Sequence, residues 1–139
     1  MNFGSLFFSF SGRINRGKLW LATLLYLAGH LVFGALIFAS DFALPVTAAA
    51  VLYLFVVLVS GIAIGIKRLH DRDKSGWWLL VFYVVPGLLS GGGNGLGMDT
   101  FAGIALSVAS LALSIWAFIE LGCLRGTVGP NQYGDDPLG

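Results

Sequence analysis

Residues 65–78, GIKRLHDRDKSGWW, set six ionisable side chains and His70 between two apolar runs, residues 46–66 and 77–89. Such a charge-dense turn cannot lie in hydrocarbon, and the runs on either side are too apolar for water, so the segment marks a membrane surface. Composition agrees. The chain is 57% apolar and only 11% charged, far below the usual quarter, which excludes an ordinary soluble domain of this length. A net charge of +1 argues against a nucleic-acid or strongly acidic partner, and the distribution of charge carries the information instead. The single cysteine, Cys123, cannot form an intramolecular disulfide and has no metal-binding neighbours, which suits a free thiol in a reducing compartment.

Four spans are expected. Residues 19–40 form an apolar run interrupted by His30, long enough at about 1.5 Å per residue to cross a hydrocarbon core of about 30 Å. Asn15 is the expected N-cap, with Trp20 at the interface. Asp41 and Pro45 end that helix in a tight turn. Residues 46–66 form the second span, in which Gly61 and Gly65 make a small-xxx-small pair that lets another helix approach. Residues 77–90 form the third, short or kinked at Pro86. The run SGGGNGLGM either prolongs it or, as preferred here, frays into an outer glycine-rich loop. Residues 101–120 form the fourth, with Gly103, Ser107, Ser110 and Ser114 on one small-residue face. Ahead of the first span, Phe3, Phe7 and Phe10 fall at helical spacing and fit either an interfacial anchor helix or a short extended lead-in. The opening apolar run is too short for a signal sequence, and no cleavage is expected.

All eight basic residues precede the first span, join the second to the third, or follow the fourth. The positive-inside rule then places both termini and the central loop in the cytoplasm. The expected fold is an all-α membrane protein, a four-helix transmembrane bundle forming a single domain, with residues 121–139 as a cytoplasmic tail.

Three basic-side segments carry the motifs: GRINR with Trp20, then RLHD and KSGWW, then the tail pattern with Gly126, Gly129, Asn131, Tyr133, Gly134, Asp136 and Pro137. Together they resemble the small bacterial inner-membrane proteins of the domain of unknown function 805. The resemblance covers nearly the whole chain. It implies a four-helix protein of the cytoplasmic membrane and hands over no catalytic residues. Two departures stand out: Leu19 where an aromatic usually precedes Trp20, and SGGGNGLG where a longer third helix belongs.

Read physically, Arg13, Arg16, Lys67, Arg68, His70, Arg72, Lys74, Trp77 and Trp78 are candidates for binding lipid headgroups or another anion, since guanidinium groups and indoles converge there. The alternative is a topology signal with snorkelling side chains. Lys67 or Arg68 can pair with Asp71 along an extended second helix, and Asp73 or Ser75 can cap the third. Asn131, Tyr133 and Asp136 are expected to fold the tail back under the helices, with Asp136 near Arg13, Arg16 or Arg68. His30 lies near mid-bilayer, where a hydrogen-bonded neutral imidazole and a proton relay both remain open. His70, Asp71 and Ser75 are too crowded for a hydrolase triad, and GGGNGLG follows no strand as a phosphate loop must. No catalytic residue, metal site or cofactor is expected. The chain reads as a non-enzymatic structural or regulatory membrane component whose partners are anionic lipids, a membrane protein or further copies of itself. The alternative is an oligomeric channel or transporter subunit for ions or small solutes.

Overall fold

The computed structural model describes residues 3–138. Among them no β-strand forms. The elements are α1 (Phe3–Phe8), α2 (Arg16–Ala39), α3 (Leu44–Asp71), α4 (Leu80–Leu96) and α5 (Phe101–Cys123). Helices α2, α3 and α5 are long and apolar enough to cross a membrane, and α4 is a shorter apolar helix. Side chains such as Phe55, 65% exposed, and Phe101, 89% exposed, stand outward at a density that only a lipid environment satisfies.

The caps follow local chemistry. Asn15 Oδ1 accepts from the Lys18 amide at 3.0 Å, and Thr100 Oγ1 accepts from the Gly103 amide at 3.0 Å, each satisfying an orphan donor of a first turn. Pro45 lies in the first turn of α3, where its missing N–H costs nothing, so it starts that helix rather than merely ending the preceding one. The first run of α3 does not stop at residue 66. It continues through the basic residues to Asp71.

One expectation for α4 needs correction. Helical backbone at Trp78 and Leu79 leads straight into it, close to the expected start, but it runs through the glycine-rich stretch to Leu96, so residues 90–96 are helix and not loop. Pro86 is accommodated by a π-helical opening over Leu80–Val84, which shifts the hydrogen-bond register just where the proline lacks a donor. The glycines act as contact surface. A Cβ on Gly93 would sit 2.5 Å from Ser107 Oγ and 2.9 Å from the Gly103 carbonyl, and one on Gly103 would sit 2.0 Å from the Gly97 carbonyl. Helices α4 and α5 therefore meet backbone to backbone. Ser110 Oγ donates to the Pro86 carbonyl at 2.7 Å and adds a polar tie. Gly97, at φ +87°, ends α4 in the left-handed region.

Helices α2 and α3 are tied by tyrosines. Tyr26 Oη donates to Ser60 Oγ at 2.8 Å, and Tyr53 Oη donates to the Tyr26 carbonyl at 2.8 Å. A Cβ on Gly29 would lie 2.2 Å from Tyr53 Oη, so glycine makes room for that hydroxyl. The glycine pair on α3 splits in function: Gly65 receives Leu79, while nothing lies within 4 Å of a Cβ on Gly61. Beyond Gly65, α3 and α4 stay apart and leave a lateral groove bounded by α2, α3 and α4. The buried core gathers at the basic end, in Leu6, Ile14, Ala22 and Ile64 on one side and Leu69, Phe82, Ala117 and Leu121 on the other.

Candidate functional site

Asp71 ends α3 and is the centre of the basic end. Arg68, one turn earlier on the same helix, pairs with Asp71 Oδ2, and Arg13 reaches Oδ1 with Nε at 3.2 Å and Nη2 at 3.1 Å. All three are almost sealed from solvent: Arg13 is 3%, Arg68 0% and Asp71 2% exposed. One carboxylate thus serves two buried guanidinium groups. Their remaining donors must find acceptors, because an unmet buried donor costs about 1–3 kcal/mol.

Those acceptors are backbone carbonyls. The π-helical end of α5, Ile119–Cys123, leaves successive carbonyls unpaired within the helix, and side chains from elsewhere take them up. Arg68 Nε donates to Leu121 O at 2.6 Å, Trp20 Nε1 to Gly122 O at 3.0 Å, Arg16 Nη1 to Cys123 O at 2.8 Å, and Arg68 Nη2 to Leu124 O. Lys67, fully buried, does the same for α1 by donating to Ser5 O at 2.7 Å and to Leu6 O. Arg13 Nη1 and Nη2 hold the tail through Gly129 O at 2.8 Å, Gly134 O at 3.1 Å and Thr127 O at 2.6 Å. The tail answers with its own donors. Thr127 N reaches Asp71 O at 2.8 Å, and Asn131 Nδ2 reaches His70 O at 2.8 Å, which caps the end of α3.

The whole arrangement is one network joining the segment before α2, the end of α3, the end of α5 and the tail. The family described as "Protein of unknown function (DUF805)" matches residues 7–135, a stretch that contains every member of this network from Arg13 to Gly134. The chain belongs to that family. Uncharacterized protein YiiR of Escherichia coli (strain K12) is 38% identical over 130 residues, covering 93% of this chain and 86% of the relative. Inner membrane protein YhaI of the same strain is 30% identical over 92% of this chain and 85% of its own length. Inner membrane protein YhaH is 27% identical over 92% and 86%. No solved structure matches the chain. With relatives named inner membrane proteins and three membrane-capable helices, this DUF805 protein is a multi-pass protein of the bacterial inner membrane.

The network sorts the sequence candidates. Arg13, Lys67 and Arg68 are buried and committed to internal acceptors, so these three hold the DUF805 fold together and are not an exposed headgroup surface. Lys67 does not pair with Asp71. Arg72 donates to Glu120 Oε1 at 2.9 Å and to Arg125 O, and Lys74 lies 3.8 Å from the same carboxylate with its ammonium 5.2 Å from the Trp78 ring. Trp78 packs edge-on to Trp116, and Trp77 projects outward at 77% exposure. His70 Nδ1 lies 3.1 Å from Gly12 O, so it carries the proton there, and its ring stacks on Tyr133 with centroids 3.9 Å apart. Neither Asp73 nor Ser75 caps α4, whose first turn has no side-chain cap; Asp73 Oδ1 instead accepts from Gln132 Nε2 at 3.2 Å.

Asp136 forms no ion pair with an arginine among the described residues. Its Oδ2 accepts from Gly129 N at 3.0 Å and its Oδ1 from Leu138 N at 2.9 Å, so it closes a turn. Backbone N–H donors, with the Arg13 and Arg125 charges behind them, hold its carboxyl below the usual carboxylate range. His30 lies away from this end. Its Nδ1 is 2.6 Å from Tyr26 O, in the α2–α3 tie.

Glu120 escaped the sequence reading, and Gly126 entered it as part of the tail pattern without its contact to Asp71. Glu120 is 6% exposed and neutralises Arg72 and Lys74; the available signal was a lone acid closing an apolar run. A Cβ on Gly126 would sit 2.0 Å from Asp71 Oδ2. Nothing in composition marks that contact, because it depends on where the tail returns.

Proposed function

We propose that this protein is a non-enzymatic structural or regulatory component of the inner membrane. In this reading it is a four-helix bundle that crosses four times, keeps both termini in the cytoplasm and presents a basic face to anionic headgroups or a membrane partner. The observation that carries the reading is the gathering of the N-terminal segment, the α3 end, the α5 end and the tail at one end, with Asp41 and Asp99 in the turns at the other. Positive charge retained on the cytoplasmic side gives the direction. An even number of crossings returns the tail to the N-terminal segment, and α4, at 17 residues or about 26 Å, nearly spans the core.

Support for a non-enzymatic role comes from the fate of the reactive groups. Both Asp71 oxygens are held by arginines, and His70 is turned to Gly12 O and stacked on Tyr133. Neither is left to activate a nucleophile. The topology is tested with a reporter active only outside the cytoplasm. It is expected to be silent after Gly139 and active when inserted near Asp41 or Asp99. Activity at Gly139 would overturn the reading.

A further inference from the structure

The lateral groove between α2, α3 and α4 encloses about 800 Å³, inside the range of roughly 300–1,000 Å³ typical of small-ligand sites. Ala22, Gly61, Leu80 and Tyr83 are among its lining residues. The Tyr26 hydroxyl is engaged with Ser60, and Thr23 Oγ1 with Leu19 O at 3.0 Å, which leaves the Tyr83 hydroxyl and the Trp77 indole as the polar side-chain groups of an otherwise apolar trough. Along α3 the lining runs from Val57 to Ile66, about 14 Å at helical rise, against about 15 Å for half of a hydrocarbon core. Ile66 and Trp77 lie at the basic end, so the trough opens at that membrane surface and stops near mid-bilayer. That is the depth of one leaflet.

A basic residue stands one turn beyond the lining. Lys18 stands four and eight residues before Ala22 and Tyr26, which places it on the same α2 face as two lining residues, one turn closer to the surface. Unlike Lys67, its ammonium has no hydrogen bond or ion pair among the described residues. Trp77 forms the facing lip and is 77% exposed, as an indole at headgroup depth would be.

We propose that this groove binds one acyl chain of an anionic phospholipid from the leaflet at the basic end, with the lipid phosphate at the Lys18 ammonium beside Trp77. The inference deepens the basic-face reading above and supplies its ligand. A free anion would use Lys18 and ignore the trough; a second copy of the chain would use the trough and ignore Lys18. An anionic membrane lipid uses both, and phospholipid is the one that a leaflet supplies.

The test incubates the full-length protein in detergent with phosphatidylglycerol or with phosphatidylcholine of the same chains and counts bound lipid by native mass spectrometry. One phosphatidylglycerol is expected to be retained in preference to phosphatidylcholine. Lys18→Gln should reduce that preference by about fivefold, the equivalent of one basic residue at an anionic surface. Gly61→Leu, built into space that is open in the fold, should reduce retention of both lipids at least tenfold without lowering the melting temperature. If Gly61→Leu does not fold, Leu80→Trp fills the trough from the α4 wall and gives the same readout. Unchanged lipid retention in a folded trough-filling variant overturns the proposal, as does an unchanged headgroup preference in Lys18→Gln. A lipid-free wild-type dimer that Gly61→Leu dissociates also overturns it, by giving the groove to a second copy. A reversed topology reporter, by contrast, would sink the cytoplasmic reading and leave the groove in the other leaflet.

Discussion

Asp71 shows how a single residue can hold several segments. Removing it would leave Arg13 and Arg68 buried without a counter-charge, an arrangement that costs about 3–5 kcal/mol when one partner of a buried pair is deleted. Asp71→Ala should therefore lower stability by that order in detergent, measured by thermal or denaturant unfolding. A loss below about 1 kcal/mol, typical of an exposed pair, would mean the two arginines are hydrated in the membrane-bound protein. Asp136 gives the pH-dependent counterpart. Its carboxyl is held below the ordinary 3.8 by the Leu138 and Gly129 amides, so the docked tail favours the ionised form. Its contribution is present above the ordinary value and is lost as pH falls through the lowered one. In a Cys123→Ser background, a spin label at Val128→Cys should be immobile at neutral pH and mobilise only in acid, below the ordinary carboxylate range. Asp136→Asn should mobilise it at every pH.

At the scale of elements, α4 and α5 depend on glycine backbone contact, and the strongest single perturbation is at Gly103. Its Cβ would fall 2.0 Å from Gly97 O and 2.9 Å from Gly93 O, both backbone atoms that cannot rotate away. Gly103→Ala should therefore separate the two helices at that end and destabilise the protein by about 1–3 kcal/mol, the usual range for overpacking. Gly91→Ala, in open space on α4, should be neutral or slightly stabilising. Equal effects from the two would refute the contact model. The same helices mark where the sequence was and was not legible. The spans of α2, α3 and α5 could be read because length and hydropathy suffice, and Asn15 because capping is local. Residues 90–96 could not, because glycine runs read as loop in water. Here they are helical, with Gly93 against the α5 backbone, a contact between segments that no local pattern announces. The partners of the cations were missed for a related reason. Sequence reasoning pairs charge with charge and sought carboxylates such as Asp136, whereas Arg13, Lys67 and Arg68 mainly take up carbonyls, which every residue carries and none advertises.

For the whole molecule, the tail is the piece that looks expendable and is not. Residues 126–138 lie outside every helix, yet they supply three carbonyls to Arg13, a cap to the end of α3 through Asn131, and a stacking ring to His70 through Tyr133. Without them Arg13 keeps only Asp71, and the α3 terminus opens to water at the point where α1, α3 and α5 converge. The helices themselves need none of this to insert, because insertion is decided by apolar length and by basic residues that all precede the tail. Truncation after Arg125 should therefore leave membrane insertion and reporter topology unchanged while lowering stability by about 2 kcal/mol or more. Hydrogen bonds to charged groups are worth about 1.5–3 kcal/mol each, and water would replace part of what is lost. The check is a melting curve of the purified truncated protein beside the full chain, with hydrogen exchange of the amides at the end of α3. Unchanged melting and unchanged exchange would show that the tail rides on a basic end already closed by Asp71 alone. A chain that fails to insert would show instead that the tail acts before the helices have assembled.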